Sequence, residues 1–239
     1  MRHHEDTYWW YRGMRELAAT AIGRYSTGRD LALLDAGCGT GGQLAHLRGD
    51  GLISWTAGLD FSMEAVTIAA ERGLGALLRG STMTLPFRDE AFDVATSIDV
   101  LYIRGVDDEV AMSELHRVLK PGGIIVLNLP AFEMLRGRHD EAVHTRHRYR
   151  KSEVDRLLRD HGFEVRKLSY WNTTLFPVML AKRTLERLSR RGAPPVSDMS
   201  DLPGSINRVL TAFVRAENRM LFATGLPFGG SIFAVGVRR

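Results

Sequence analysis

The feature that most constrains this chain is a short apolar run, Leu31-Ala32-Leu33-Leu34, that stops at Asp35 and passes at once into Ala36-Gly37-Cys38-Gly39-Thr40-Gly41-Gly42. A continuous apolar strand is buried on both faces and belongs to a parallel sheet covered by helices. Closely spaced glycines after such a strand let the backbone turn tightly and approach a ligand. A second run, Ser54 to Leu59, ends at another acid, Asp60, about twenty residues further on. Two strand ends carrying acids beside a glycine turn predict a binding site at the carboxyl edge of an α/β sheet.

The rest of the pattern agrees with that frame. Apolar residues from Tyr8 to Ile22 recur at helical spacing ahead of the first strand. Beyond Asp60 the pattern predicts a helix over 62–72, strands over 76–78 and 92–97, a helix over 106–119 stopped by Pro121-Gly122-Gly123, and a fifth strand over 124–129. Residues 131–150 read as a polar, basic connection, followed by a helix over 152–160 and a sixth strand over 163–168. Two helical patterns, 175–188 and 206–221, flank the loop Arg191-Gly192-Ala193-Pro194-Pro195, and 231–237 reads as a last strand. The expected fold is α/β, a Rossmann-like sheet with helices on both faces. Residues 1–170 and 229–239 would form the core with its N-terminal helix, and 171–228 a helical cap insertion.

Composition narrows the class. The apolar share of 44% and charged share of 25% are those of a folded globular chain. Cys38 is the single cysteine, which excludes an internal disulfide framework and points to a reducing, cytoplasmic setting. The charged start Met1-Arg2-His3-His4-Glu5-Asp6 does not resemble an export signal, and no run approaches the roughly 20 apolar residues of a membrane span. The net charge of +4 comes from interspersed acids and bases and selects no partner.

The glycine turn satisfies two patterns at once. Gly37, Gly39 and Gly42 with Asp60 match the dinucleotide fingerprint G-x-G-x-x-G; Asp35, Gly37, Gly39 and Gly41 match the D-x-G-x-G-x-G pattern of enzymes that use S-adenosylmethionine. Asp35 separates them. A carboxylate about 4 Å from a pyrophosphate would meet a repulsion of roughly 4 kcal/mol at an effective dielectric near 20. Toward a sulfonium and an ammonium group the sign reverses. Asp60 accepts from ribose hydroxyls under either reading.

Leu33-Leu34-Asp35-Ala36-Gly37-Cys38-Gly39-Thr40-Gly41, Gly58-Leu59-Asp60-Phe61-Ser62, Leu85-Pro86-Phe87, Phe92-Asp93-Val94 and Glu114-Leu115-His116-Arg117-Val118-Leu119-Lys120-Pro121-Gly122-Gly123 resemble, in order and spacing, the successive motifs of class I S-adenosylmethionine-dependent methyltransferases of the small-molecule type. The resemblance covers residues 31–130 closely. It implies a seven-stranded sheet whose last strand runs antiparallel, with S-adenosylmethionine above the carboxyl ends of the first strands. By position, Asp35 and the backbone of Gly37, Cys38 and Gly39 would hold the methionine part, with Gly41 completing the cofactor turn, Asp60 would hold the ribose, and Phe61 and Met63 would flank adenine. Where many relatives place Asp to bind the adenine amino group, this chain has Gly80-Ser81-Thr82; Ser81 still offers a hydroxyl, with Thr82 beside it. Where relatives often read Asp-Val-Leu-Glu-His, it has Asp99-Val100-Leu101-Tyr102-Ile103. The histidine is missing, and Asp99 reads either as a neighbour of the cofactor or as a helix-entry cap, not as a base.

Methyl transfer from a sulfonium needs in-line placement and exclusion of water, and a base only where the nucleophile carries a proton that must leave. His144, His147 and Tyr149 are the candidates for that base, against the plainer reading of a solvated basic loop. The histidines His139, His144 and His147 lack a metal-ligand motif, and no metal is expected. The basic loop could instead receive an anionic acceptor. Arg12 or Arg15, in the aromatic helix beginning Tyr8-Trp9-Trp10-Tyr11, is a candidate partner for the cofactor carboxylate.

The leading expectation is methylation of a small molecule, with Leu175, Phe176, Val178, Met179 and Leu180 lining the cap over the acceptor. The basic residues Lys182, Arg183, Arg187, Arg190 and Arg191 that follow also admit contact with a membrane surface. An NAD-dependent oxidoreductase is disfavoured by Asp35. A nucleic-acid methyltransferase is disfavoured because no Asn-Pro-Pro-Tyr-like segment follows the fourth strand and Cys38 sits in the cofactor loop. A noncatalytic S-adenosylmethionine-binding protein is the remaining alternative.

Overall fold

The computed structural model describes residues 2–49, 51–189 and 202–239. Helices α1 (Arg2–Thr7) and α2 (Trp9–Tyr25) precede β1 (Leu31–Ala36) and α3 (Gly42–Arg48). Then follow β2 (Ile53–Asp60), α4 (Met63–Ala70), β3 (Ala76–Arg79), β4 (Phe92–Ile98), α5 (Asp108–Val118) and β5 (Leu119–Pro130). The basic connection holds a 3-10 turn, Glu133–Leu135, and the short α6 (Arg138–Ala142). The chain closes with α7 (Lys151–Asp160), β6 (Phe163–Trp171), α8 (Phe176–Ser189), α9 (Gly204–Ala223) and β7 (Ser231–Arg238). The loop over 191–195 lies outside the described residues.

The seven strands lie in the order β3-β2-β1-β4-β5-β7-β6, and β7 runs antiparallel to both neighbours, as the resemblance implied. The order reverses between β1 and β4, so the crevice for a ligand opens above their carboxyl ends. Leu33, Leu34, Val94, Ala95 and the Ile124–Leu127 run are wholly buried, which explains why these strands read as continuous apolar runs. Helix starts follow local chemistry: Ser62 caps α4 by accepting from the Ala65 N–H, and Asp107 caps α5 by accepting from the Glu109 and Val110 N–H groups.

The two helices expected to form one cap do different work. Helix α8 covers the crevice, whereas α9 packs along α2. A Cβ at Gly13 would overlap Val214, so the glycine is what allows that close approach. Asn218 bridges the layers, donating from Nδ2 to the Gly13 carbonyl (2.9 Å) and accepting at Oδ1 from Trp171 Nε1 (2.8 Å). Asn207 completes the start of α2, accepting from the Trp9 N–H (2.8 Å) and donating to the Thr7 carbonyl (2.8 Å). These polar partners come from the other end of the chain, which is why helical periodicity alone did not separate α9 from α8.

Candidate cofactor and acceptor site

The glycine turn is clamped onto the end of β2. The Gly37 and Cys38 N–H groups donate to the Leu59 carbonyl (2.7 and 3.0 Å), and the Gly39 N–H donates to Asp60 Oδ2 (2.8 Å). The other Asp60 oxygen accepts from the Ser62 N–H (2.9 Å), so this carboxylate is held at the mouth of the turn. Gly37 has φ 97, and a Cβ there would overlap Val100 in the turn after β4. Both constraints require glycine, and they bring the ends of β1 and β4 into contact.

Asp35 is 2% exposed and accepts from Thr96 Oγ1 at 2.7 Å. Burial raises its pKa to about 7, and the Glu5 and Asp60 charges push in the same direction. Glu5 reaches over from α1, accepts from the Gly42 N–H (3.1 Å) and the Thr40 hydroxyl, and lies 3.5 Å from Arg72. Its own pKa is raised by burial. Three acids therefore converge on one turn, an arrangement that disfavours phosphate and favours a cation.

A cavity of about 560 Å³ opens from this turn, walled by Glu5, Asp35 and the Gly37–Thr40 backbone at one end. It continues between α2 and α8. Helix α2 contributes Tyr8, Trp9, Trp10, Tyr11, Met14 and Arg15; α8 and the turn before it contribute Leu175, Val178, Met179, Lys182 and Arg183. Asp99, Tyr102 and Ile103 line the wall after β4, and Asn172 the wall after β6. Arg15 is buried there, while Arg12 is exposed and outside the lining.

Of the residues expected to bind cofactor, Asp35, Gly37, Cys38 and Gly39 line this cavity. Gly41 sits behind the turn at the start of α3. Cys38 is buried and its thiol pKa is raised by that burial. Asp60, Phe61, Met63, Ser81 and Thr82 stand outside the lining, on the β2–β3 side of the turn. Phe61 and Met63 are 77% and 57% exposed, with the Arg79 guanidinium over the Phe61 ring. Ser81 Oγ accepts from the Met83 N–H (3.2 Å), and the buried Thr82 hydroxyl has no hydrogen-bond partner among the described residues.

The three residues expected to supply a base do not line the cavity. His144 is exposed, His147 lies between Glu133 (3.8 Å) and Glu153 (3.5 Å), and the Tyr149 hydroxyl donates to Asp108 (2.5 Å). The connection folds so that His139, Asp140, Val143, Thr145 and Arg148 line the cavity instead. Facing was not readable in a segment without helical or strand period. Of the cap residues, Phe176 packs between Phe132 and Phe228, and Leu180 does not line the cavity. Glu5 and Asn172 were missed altogether, since an acid in a charged N-terminal segment and an isolated Asn after a strand carry no sequence signal.

Residues 34–127 match the family model described as a methyltransferase domain. That segment, from the end of β1 to the middle of β5, is what the chain shares with the methyltransferase domain. A demethylmenaquinone methyltransferase of Staphylococcus aureus is 34% identical over 119 residues, covering 45% of this chain and 48% of that protein. The chain thus spans about half the length of the curated relatives it matches. Among solved structures, geranyl diphosphate methyltransferase (TM-score 0.65, 14% identity, 95% of this chain and 77% of that one) shares the fold. So does the [4+2]-cyclase SpnF (TM-score 0.62, 24% identity, 96% and 82%).

The residues at the turn fit S-adenosylmethionine. The buried acids at the turn complement a sulfonium and an ammonium group, and Arg15 beside Glu5 offers the one buried guanidinium of α2 to a carboxylate.

Proposed function

We propose that this chain transfers the methyl group of S-adenosylmethionine to a largely apolar small molecule held between α2 and α8. The observation that carries the proposal is the continuity of one cavity from the acids of the glycine turn to an aromatic chamber. Asp35 and the Gly37–Cys38–Gly39 backbone would hold the methionine part, Asp60 the ribose, and Phe61 and Met63 the adenine. When bound, the cofactor supplies an electrophilic methyl group.

The chain's own contribution is orientation and exclusion of water. Tyr8, Trp10 and Tyr11 would pack against the acceptor from one side and Leu175, Val178 and Met179 from the other. Apart from Arg15, assigned to the cofactor carboxylate, the cavity's buried arginines are already matched, Arg148 by Asp140 (2.8 Å) and Arg183 by Glu186 (2.9 Å). That pairing favours an uncharged acceptor over the anion suggested by the basic loop. A cytoplasmic setting accompanies this reading, supported by the single, buried Cys38.

Calorimetry with S-adenosylmethionine and NAD, followed by mass spectrometry of mixtures with apolar acceptors, tests the proposal. Binding of the first ligand alone and a gain of one methyl mass on an acceptor are expected. NAD binding without a response to S-adenosylmethionine would overturn it; binding with no turnover of any acceptor would favour a noncatalytic role.

A second reading, contact with a membrane surface, draws on α9. Ile206, Val209, Phe213 and Met220 are 47%, 54%, 53% and 57% exposed and recur on one helical face, with Arg208 and Arg219 on the same helix. No described helix is long and apolar enough to cross a membrane. Flotation with anionic vesicles is the test, and its absence at low salt would remove this reading.

A further inference from the structure

Asp99 occupies the cavity wall in a backbone conformation rare for a residue with a side chain, φ 59. Its Oδ1 accepts from Asn128 Nδ2 at 3.0 Å, and its N–H donates to the Asn128 carbonyl at 3.1 Å. Neither bond caps a helix; α5 is capped by Asp107 instead. The second oxygen, Oδ2, has no hydrogen-bond partner among the described residues. Asn172, at φ 61 after β6, repeats the pattern: it lines the same cavity, is 6% exposed, and its Oδ1 finds no donor among the described residues. Two strand ends thus present free acceptors to a largely aromatic chamber, and at Asn172, where the acceptor is buried, the missing donor is costly.

We propose that Asp99 is the base that takes the proton from a hydroxyl of an otherwise apolar acceptor, and that Asn172 accepts a hydrogen bond from the same ligand and positions it. The inference rests on the methyl-transfer reading above. The acceptor hydroxyl oxygen forms the new bond to the methyl carbon, the methyl–sulfur bond breaks with its electron pair left on sulfur, and the hydroxyl proton passes to Asp99. Contact between Val100 and Gly37 ties Asp99 to the turn that holds the cofactor.

The groups around Asp99 suit that exchange. Burial raises its pKa to about 7, opposed by the Asn128 hydrogen bond and the Arg148 charge. Arg148 is itself tied to Asp140, while Tyr11 from α2 and Tyr102 from the same turn remain protonated, their pKa values raised by burial and by Asp99. A carboxylate near neutrality can both accept and return a proton.

The test uses the full chain, the Asp99→Asn and Asn172→Ala variants, and 4-methylphenol as a hydroxyl probe. Calorimetry with S-adenosylhomocysteine comes first; all three proteins should bind it within about twofold, and failure of the wild type to bind would overturn the methyl-transfer reading itself. Carboxyl NMR of the free protein should show a group titrating near neutrality that Asp99→Asn removes. Binding of 4-methylphenol, whose own hydroxyl ionises far above neutrality, to the S-adenosylhomocysteine complex should carry an inflection near that pH in wild type and none in Asp99→Asn. Methylation of the probe should fall about 100-fold or more in kcat in Asp99→Asn with little change in KM, whereas Asn172→Ala should raise KM. Cofactor binding without any binding of the probe, retention of the inflection in Asp99→Asn, or wild-type methylation by that variant would overturn the assignment.

Discussion

Thr96 Oγ1 donates a 2.7 Å hydrogen bond to Asp35 Oδ1, joining the ends of two neighbouring strands at the floor of the cofactor turn. Thr96 is fully buried and Asp35 nearly so, and no cation among the described residues is bonded to either. One hydroxyl stabilises the charged carboxylate too weakly to offset its burial, which is why Asp35 titrates near 7 rather than at its ordinary 3.8. A ligand that brings positive charge supplies what the fold withholds.

This gives a pH dependence with a defined sign. Between its ordinary pKa and about 7, Asp35 keeps a proton in the folded chain that the unfolded chain has lost. Stability of the free protein should therefore fall as pH rises across that window, by up to about 1.4 kcal/mol per pH unit from this group. Affinity for S-adenosylmethionine should move the other way, rising through pH 7 with proton release on binding. Denaturant titrations and calorimetry in buffers of different ionisation enthalpy read the two trends.

Asp35→Asn keeps the size and the Thr96 contact but removes the charge. Loss of a charge-assisted interaction of about 1.5–3 kcal/mol corresponds to roughly tenfold or more in cofactor affinity. The variant should also lose most of the pH dependence of binding. Unchanged affinity in a folded Asp35→Asn would mean that this carboxylate does not meet the cofactor.

Glu5→Gln tests the role of α1. The amide oxygen can still accept from the Gly42 N–H, but attraction to Arg72 and to a bound cation is lost. Cofactor affinity should fall several-fold with little change in unfolding free energy, because the remaining contacts are partly exposed. An equal loss in both measurements would place Glu5 among residues that only hold the fold.

Gly13→Ala tests the α2–α9 contact. Alanine favours a helix over glycine by about 1 kcal/mol, but its methyl would overlap Val214, and overpacking costs about 1–3 kcal/mol. Net destabilisation is expected, with recovery in the double variant Gly13→Ala/Val214→Ala. Chemical denaturation of the four proteins closes the cycle.

Period and punctuation were enough to locate the strands of the sheet, the glycine turn and the acids at 35 and 60, because a doubly covered parallel strand writes itself as an apolar run and its end as Gly and Asp. The antiparallel β7 was legible only through family resemblance, since a strand's direction leaves no mark in its own residues. The connection between β5 and α7 was legible only as basic. Which of its residues face the cavity is decided by the Arg148–Asp140 pair and the Arg148 bond to the Ala131 carbonyl (2.6 Å), contacts that no local period announces. Glu5 over the turn, Asn207 at the start of α2, and Asp99 with Asn172 in one cavity are likewise products of packing. What the sequence by itself determined is where the backbone must turn and which strand ends carry charge. Which side chains meet across the crevice was decided by the tertiary structure, because burial and hydrogen-bond partners are properties of the assembled layers and not of any segment alone.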